Sequence, residues 1–121
     1  MEKKKTLVLG ASENQVRYSN LAIKRLVNYQ HPVVAIGRKK GMVAGIPVET
    51  EKKQFNNIDT VTVYLNSVHQ KEYYDYIISL HPKRIIFNPG AENDELSHLA
   101  LKAGIKAVEA CTLVLLNTGQ F

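Results

Sequence analysis

Apolar residues follow two rhythms along this chain. Short runs rich in β-branched residues alternate with stretches in which apolar side chains return every three or four positions. The first rhythm predicts strands at "KTLVLG" (5–10), "PVVAIG" (32–37), "DTVTVYL" (59–65), "KRIIFN" (83–88) and "IKAVEA" (105–110). The second predicts helices at 18–30, 70–81 and 94–104. Leu21, Ala22, Leu26 and Tyr29 share a face of the first helix, and Tyr73, Ile77 and Leu80 a face of the second. The third closes on Gly104 at its C-cap. Between the second and third strands, "GIPVET" (45–50) reads as a short extended piece and "EKKQF" (51–55) as a brief helical turn.

Strands separated by helices pair in parallel through right-handed crossovers, so the chain is expected to form an α/β three-layer sandwich. The expected sheet is open, parallel and five-stranded, in the order 3-2-1-4-5 of the strands just named. The near-continuous apolar runs Leu7 to Leu9, Val33 to Ile36 and Ile85 to Phe87 agree with burial on both faces. In such a sheet a ligand lies beyond the carboxyl ends of the strands, where the order reverses, so the chemistry is to be sought just after each strand.

With 121 residues, the chain fits one domain built on one core. Its 45% hydrophobic and 22% charged residues are those of a globular protein, and no apolar run approaches the ~20 residues of a membrane helix. "MEKKKTLVLG" carries too short an apolar stretch for a signal peptide, which leads us to expect a cytoplasmic protein without membrane attachment. The one cysteine, Cys111, has no internal disulfide partner and belongs to no zinc-ligand spacing, which fits a reducing compartment and predicts no metal site. A net charge of +5 admits an anionic ligand without requiring nucleic acid.

After the first strand comes "GASENQVRYSN". Gly10 allows a sharp turn, Ala11 and Ser12 are small enough for backbone amides to approach a pyrophosphate, and Ser12 adds a hydroxyl. Ser19 or Asn20 can cap the following helix, whose first amides and dipole favour an anion. An ordinary capped βα turn is the plainer alternative. A standard dinucleotide fingerprint has three glycines here, and only Gly10 is present. After the second strand, "GRKKG" brings Arg38, Lys39 and Lys40 where an NAD-binding protein carries an acid for the ribose hydroxyls; these cations suit a ribose phosphate, 2′ in NADP or 3′ in coenzyme A. A solvated basic loop is again the plainer alternative.

Asn66 and Ser67 follow the third strand, and "NPGAEND" follows the fourth, where Asn88 and the backbone of Pro89, Gly90 and Ala91 can face a ligand along the end of the sheet. Glu92 and Asn93 are further candidates, whereas Asp94 and Glu95 complement the dipole of the next helix.

These residues resemble the small CoA-binding proteins whose Rossmann-like domain is akin to the CoA-binding domain of the succinyl-CoA synthetase alpha subunit. The matching residues are "VLGAS" with "RYSN" (17–20) downstream, the basic residues after strand two, "IFNPGAEN" and "AGIKAVEACT". The similarity runs from about residue 5 to Cys111.

The resemblance implies that Gly10, Ala11, Ser12 and the helix start with Tyr18, Ser19 and Asn20 hold the ADP part of coenzyme A. It places Arg38 or Lys39, after Gly37, near the ribose phosphate and the pantetheine arm across Asn66, Asn88, Pro89 and Gly90. Two departures stand out: Gly37-Arg38 replaces the family's usual Asn-Pro, and Asn88 stands where glutamine is common.

The synthetase reaction uses a phosphorylated histidine in a second domain, for which this chain has no residues. His31, His69, His81 and His98 form no nucleophile-base pattern, so they are expected to be structural or exposed and the protein non-catalytic. Cys111 can exchange disulfides with a thiol ligand or simply be a buried small residue. The tyrosines 73, 74 and 76 follow a helical core pattern, which argues against nucleic acid. The apolar end "CTLVLLNTGQF" (111–121) is expected to complete the sheet edge, pack under the loops or serve a homodimer interface. The sequence therefore predicts a protein that binds the small-molecule nucleotide ligand coenzyme A, free or acylated. An NADP-binding module, or an interaction protein without ligand, is the alternative.

Overall fold

The computed structural model describes residues 2–121. Its elements are β1 (Thr6–Ala11), α1 (Tyr18–Asn28), β2 (Val33–Gly37), β3 (Gly41–Val43), β4 (Ile46–Glu49), β5 (Thr60–Val63), α2 (Ser67–Gln70), α3 (Tyr74–Ser79), β6 (Arg84–Phe87), α4 (Asp94–Lys102), β7 (Lys106–Glu109) and α5 (Thr112–Asn117). A single 3-10 turn, Lys71–Tyr73, joins α2 to α3.

The strands form one sheet in the order β3-β4-β2-β1-β5-β6-β7. Every pairing is parallel except β3 with β4, an antiparallel hairpin. The α/β class holds, but the expected strand order does not. The third predicted strand, now β5, pairs with β1, and the place beside β2 is taken by β4, the short piece read only as extended. The "EKKQF" segment forms no helix; Tyr76 donates its hydroxyl to the Lys53 carbonyl, and Lys53 Nζ pairs with Glu49 at 3.1 Å.

Alternation along the strands divides the core between two faces. Leu7, Leu9, Val61, Val63, Ile85 and Phe87 point to the face covered by α3 and α4, where they meet Tyr76, Ile77, Leu96 and Ala100. Val8, Ala35, Val48 and Ile86 point the other way, onto Ile23 and Leu26 of α1 and Leu116 of α5. The buried stripe of α1 thus runs through Ala22, Ile23 and Leu26, whereas Leu21, expected inside, is exposed. The apolar chain end forms α5, packs beside α1 and seats Phe121 in the core.

Phe121 lies at the amino ends of the strands, against His31 with ring centroids 4.9 Å apart and under the Arg84 guanidinium. His31 Nδ1 accepts from the Lys4 amide at 3.0 Å. Burial lowers the His31 pKa, and the nearby charges of Lys3, Lys4 and Arg84 lower it further. The folded chain therefore keeps this ring neutral over a range in which the unfolded chain protonates it. Its contribution to stability is complete above pH ~6.5 and is lost as the pH falls from there toward the folded value. Urea midpoints measured from pH 7.5 to 5 should decline, and His31→Gln should remove part of that decline.

Candidate ligand-binding site

The carboxyl ends of β1, β2 and β5 converge on a cavity of about 690 Å³, within the size range of ligand pockets. Gly10, Ala11, Ser12, Glu13, Asn14 and Arg17 contribute from the β1 side, Arg38 and Lys39 from β2, and Tyr64, Leu65, Asn66 and His69 from β5 and α2. The cavity sits over β1, from which one connection leads to β2 and β4 and the later chain to β5 and β6, the reversal point of the sheet.

Two glycines shape its floor. Gly10 has φ +97°, and a Cβ there would meet the Leu65 amide nitrogen at 3.2 Å. At Gly37 a Cβ would fall 2.2 Å from the Ala11 carbonyl oxygen. The backbone of Ala11 crosses directly over Gly37 where the pairing of β1 with β2 shifts register between Leu9 and Ala11. This close crossing accounts for glycine where the family resemblance led us to expect asparagine.

The loop above the floor is held by its own polar groups. Ser12 Oγ accepts from the Asn14 amide at 3.0 Å, and Asn14 Oδ1 from the Val16 amide at 3.1 Å. Glu13 Oε2 accepts from the Met42 amide at 2.9 Å, tying the loop to β3.

Neither Ser19 nor Asn20 caps α1. The N-cap is Arg17, with no side-chain cap and no acid in the first turn. Ser19 and Asn20 are instead buried inside that turn, where Asn20 Nδ2 donates to the Ser12 carbonyl at 2.9 Å. The first amides of α1 are therefore free of side-chain acceptors, next to Arg17. Helix α4 is the opposite case. Asn93 Oδ1 accepts from the Leu96 amide at 3.1 Å, and Asp94 and Glu95 stand in its first turn. An anion is favoured at the start of α1 and already substituted for at α4.

Of the residues singled out in the sequence, the cavity collects Gly10, Ala11, Ser12, Arg38, Lys39 and Asn66, with Gly37 in a small adjoining hollow. Tyr18 is exposed outside it, and Ser19, Asn20, Asn88, Pro89, Gly90, Glu92 and Asn93 are not in its lining. Asn88 is committed within the protein: Nδ2 donates to Thr62 Oγ1 at 2.7 Å and to the Val63 carbonyl at 2.9 Å, while Oδ1 accepts from the Thr112 amide at 2.9 Å. Asn93 Nδ2 donates to Gln70 Oε1 at 2.9 Å and to the Tyr74 hydroxyl at 2.8 Å. Gln70 Nε2 in turn donates to the Leu65 and Ala91 carbonyls at 2.8 and 2.7 Å. These bonds lock the loops after β5 and β6 together, making a stiff wall beside the cavity. Glu92 accepts from the Gly90 amide at 2.9 Å in the same loop.

Sequence reading missed Glu13, Asn14, Arg17, Tyr64, Leu65 and His69 in the lining. Burial pushes the Tyr64 hydroxyl up to about 12; the Thr112 hydroxyl opposes this, Cys111 adds to it and Thr62 opposes it. Tyr64 therefore stays protonated at neutral pH, its hydroxyl buried on the side of Thr62, Cys111 and Thr112 rather than offered to the cavity.

The fold is an α/β domain with a mostly parallel sheet and a cavity at its reversal point, and comparison with known proteins narrows this. Residues 4–117 match the family described as CoA binding domain. A crystal structure of a protein described as uncharacterized superposes with a TM-score of 0.97 at 46% identity, over 100% of both chains. A hypothetical protein from Pyrococcus horikoshii OT3 superposes with a TM-score of 0.85 at 24% identity, over 93% of this chain and 81% of its own. The dinucleotide forming acetyl-coenzyme A synthetase 1 of Ca. Korarchaeum cryptofilum, in complex with phosphate and ADP, has a TM-score of 0.71 at 16% identity, over 88% of this chain and 25% of that one. The last two share the fold. No curated protein matches the chain. The chain belongs to the CoA binding domain family.

Among the described residues, no helix is long and apolar enough to cross a membrane.

Proposed function

We propose that this protein binds coenzyme A or an acyl-CoA through its ADP moiety, and that it does so without catalysis. The observation that carries this reading is the loop of Gly10, Ala11 and Ser12, with Arg17 at the uncapped start of α1, facing Arg38 and Lys39 across one cavity. The amides of that turn and loop suit the diphosphate, and the cations after β2 suit the ribose phosphate. Gly10 and Gly37 keep the cradle free of side chains. The family relationship favours coenzyme A over NADP.

The non-catalytic part rests on how the polar groups are spent. Ser12 Oγ serves the Asn14 amide, Tyr64 is held protonated, and Asn88 is bonded on both sides. Glu13 serves the Met42 amide, and the charged side chains that remain in the cavity, Arg17, Arg38 and Lys39, are basic and position anions.

Calorimetric titration of nucleotide-stripped protein tests the reading. Coenzyme A should bind with a stoichiometry of one per chain, and NADP at least ~10-fold more weakly. Preferential NADP binding, or no heat with millimolar coenzyme A, would overturn it. A thioester analogue binding as tightly as free coenzyme A would agree with recognition through the ADP end.

A further inference from the structure

Resting on the coenzyme A reading above, a second basic residue in the cavity acquires a role. Arg38 reaches in from the loop after β2 and His69 from α2, on the opposite side of the cavity mouth. Arg38 Nη2 lies 3.2 Å from His69 Nδ1 and 3.1 Å from Nε2. An atom in the ring plane cannot approach both nitrogens so closely without colliding with the carbon between them. Nη2 therefore lies out of the imidazole plane and directs an N–H at the ring, so that His69 props one end of the guanidinium.

The contact engages Nη2 and leaves Arg38 Nε and Nη1 without a protein partner among the described residues. Neither Arg38 nor His69 takes part in a salt bridge among the described residues. Both are exposed, yet the histidine stands on a fixed support. Its amide donates to Asn66 Oδ1 at 3.0 Å, and the next residue, Gln70, is pinned by two carbonyls. The remaining guanidinium donors and the imidazole, held beside Lys39 in the cavity lining, match the several acceptor oxygens of a phosphate monoester.

We propose that His69 is a specificity-determining residue, which with Arg38 forms a clasp for the phosphate monoester on the ribose of the ligand. The imidazole holds the guanidinium in place through its Nη2 contact and adds a donor of its own. Discrimination between a phosphorylated nucleotide and its dephosphorylated counterpart then depends on His69.

Affinities of coenzyme A and dephospho-CoA for the wild type, His69→Ala and Arg38→Ala, with the double variant closing a cycle, test this. His69→Ala should weaken coenzyme A roughly 10-fold and dephospho-CoA less than ~2-fold. Because the two side chains work as one unit, the double variant should discriminate no less than Arg38→Ala alone. Unfolding midpoints of all variants check that each folds. NADP against NAD, run in parallel, shows whether a 2′-phosphate is accepted in place of a 3′-phosphate; a preference for NADP over coenzyme A would overturn the parent reading and leave the clasp standing. Equal losses for coenzyme A and dephospho-CoA in His69→Ala, or no loss for either, would overturn the clasp while leaving coenzyme A binding intact. Absence of binding to every one of these nucleotides would overturn both.

Discussion

Gly37→Ala should destabilise the fold by roughly 3 kcal/mol, as much as a severe core substitution, although only one methyl group is added. The new carbon falls 2.2 Å from the Ala11 carbonyl oxygen and 3.0 Å from Val48 Cγ1. The first obstacle is backbone and belongs to the end of β1, where Ala11 is the pairing partner of Gly37 itself and the preceding residues are paired on both sides. It has nowhere to withdraw. Relief requires lifting Ala11 and Ser12, so ligand binding should fail together with stability. Gly41→Ala is the control. Its Cβ meets the exposed Glu13 side chain, which can turn aside at the cost of its bond to the Met42 amide, so the loss of stability should stay near ~1 kcal/mol. A Gly37→Ala variant as stable as the wild type would mean that the crossing of β1 over β2 is looser than described.

Arg38→Glu should weaken coenzyme A about 100-fold and dephospho-CoA only about threefold. A hydrogen bond to an ionised group contributes ~1.5–3 kcal/mol, and reversing the charge adds repulsion. Arg38 is exposed and solvent screens its effect on more distant phosphates, so the loss is concentrated on the group it touches. Titration calorimetry at a fixed salt concentration measures both ligands. Equal losses would move the ribose phosphate away from this loop, toward Arg17.

The layers of the fold were legible because strand alternation and helical spacing are local. Val8 against Leu7 and Leu9, or Ile86 against Ile85 and Phe87, sort residues to opposite faces of the sheet as their spacing predicts. Strand order is not local. The misplaced strand turned on Ile46–Glu49, which has four residues, contains Pro47, and meets β2 through only two residue pairs, Ala35 with Val48 and Ile36 with Glu49. So short a run carries no pattern to set it apart from a connecting segment. Its pairing depends on the hairpin it makes with β3.

The site divides similarly. The turn after β1 and the basic loop after β2 follow from where small and cationic residues stand relative to strand ends. His69 was hidden by a displaced helix boundary: reading the helix from residue 70 left it in a connector, whereas Asn66 caps a turn that begins at Ser67. The signal was present, since Asn-Ser is a common helix start. Arg17 was hidden for the opposite reason. Ser19 and Asn20 look like caps, but the helix begins before them and buries both. Nothing local shows that Asn88 bonds inward to Thr62 and Thr112, because Thr112 lies far along the chain.

The margins of the sheet have a consequence for behaviour in concentrated solution. On one side the outermost strand, Gly41–Val43, offers three residues; on the other, Lys106–Glu109 ends in exposed opposite charges. A stranger's extended segment finds no long, flat, apolar ladder to continue. Accretion of copies edge upon edge into filaments is thereby disfavoured.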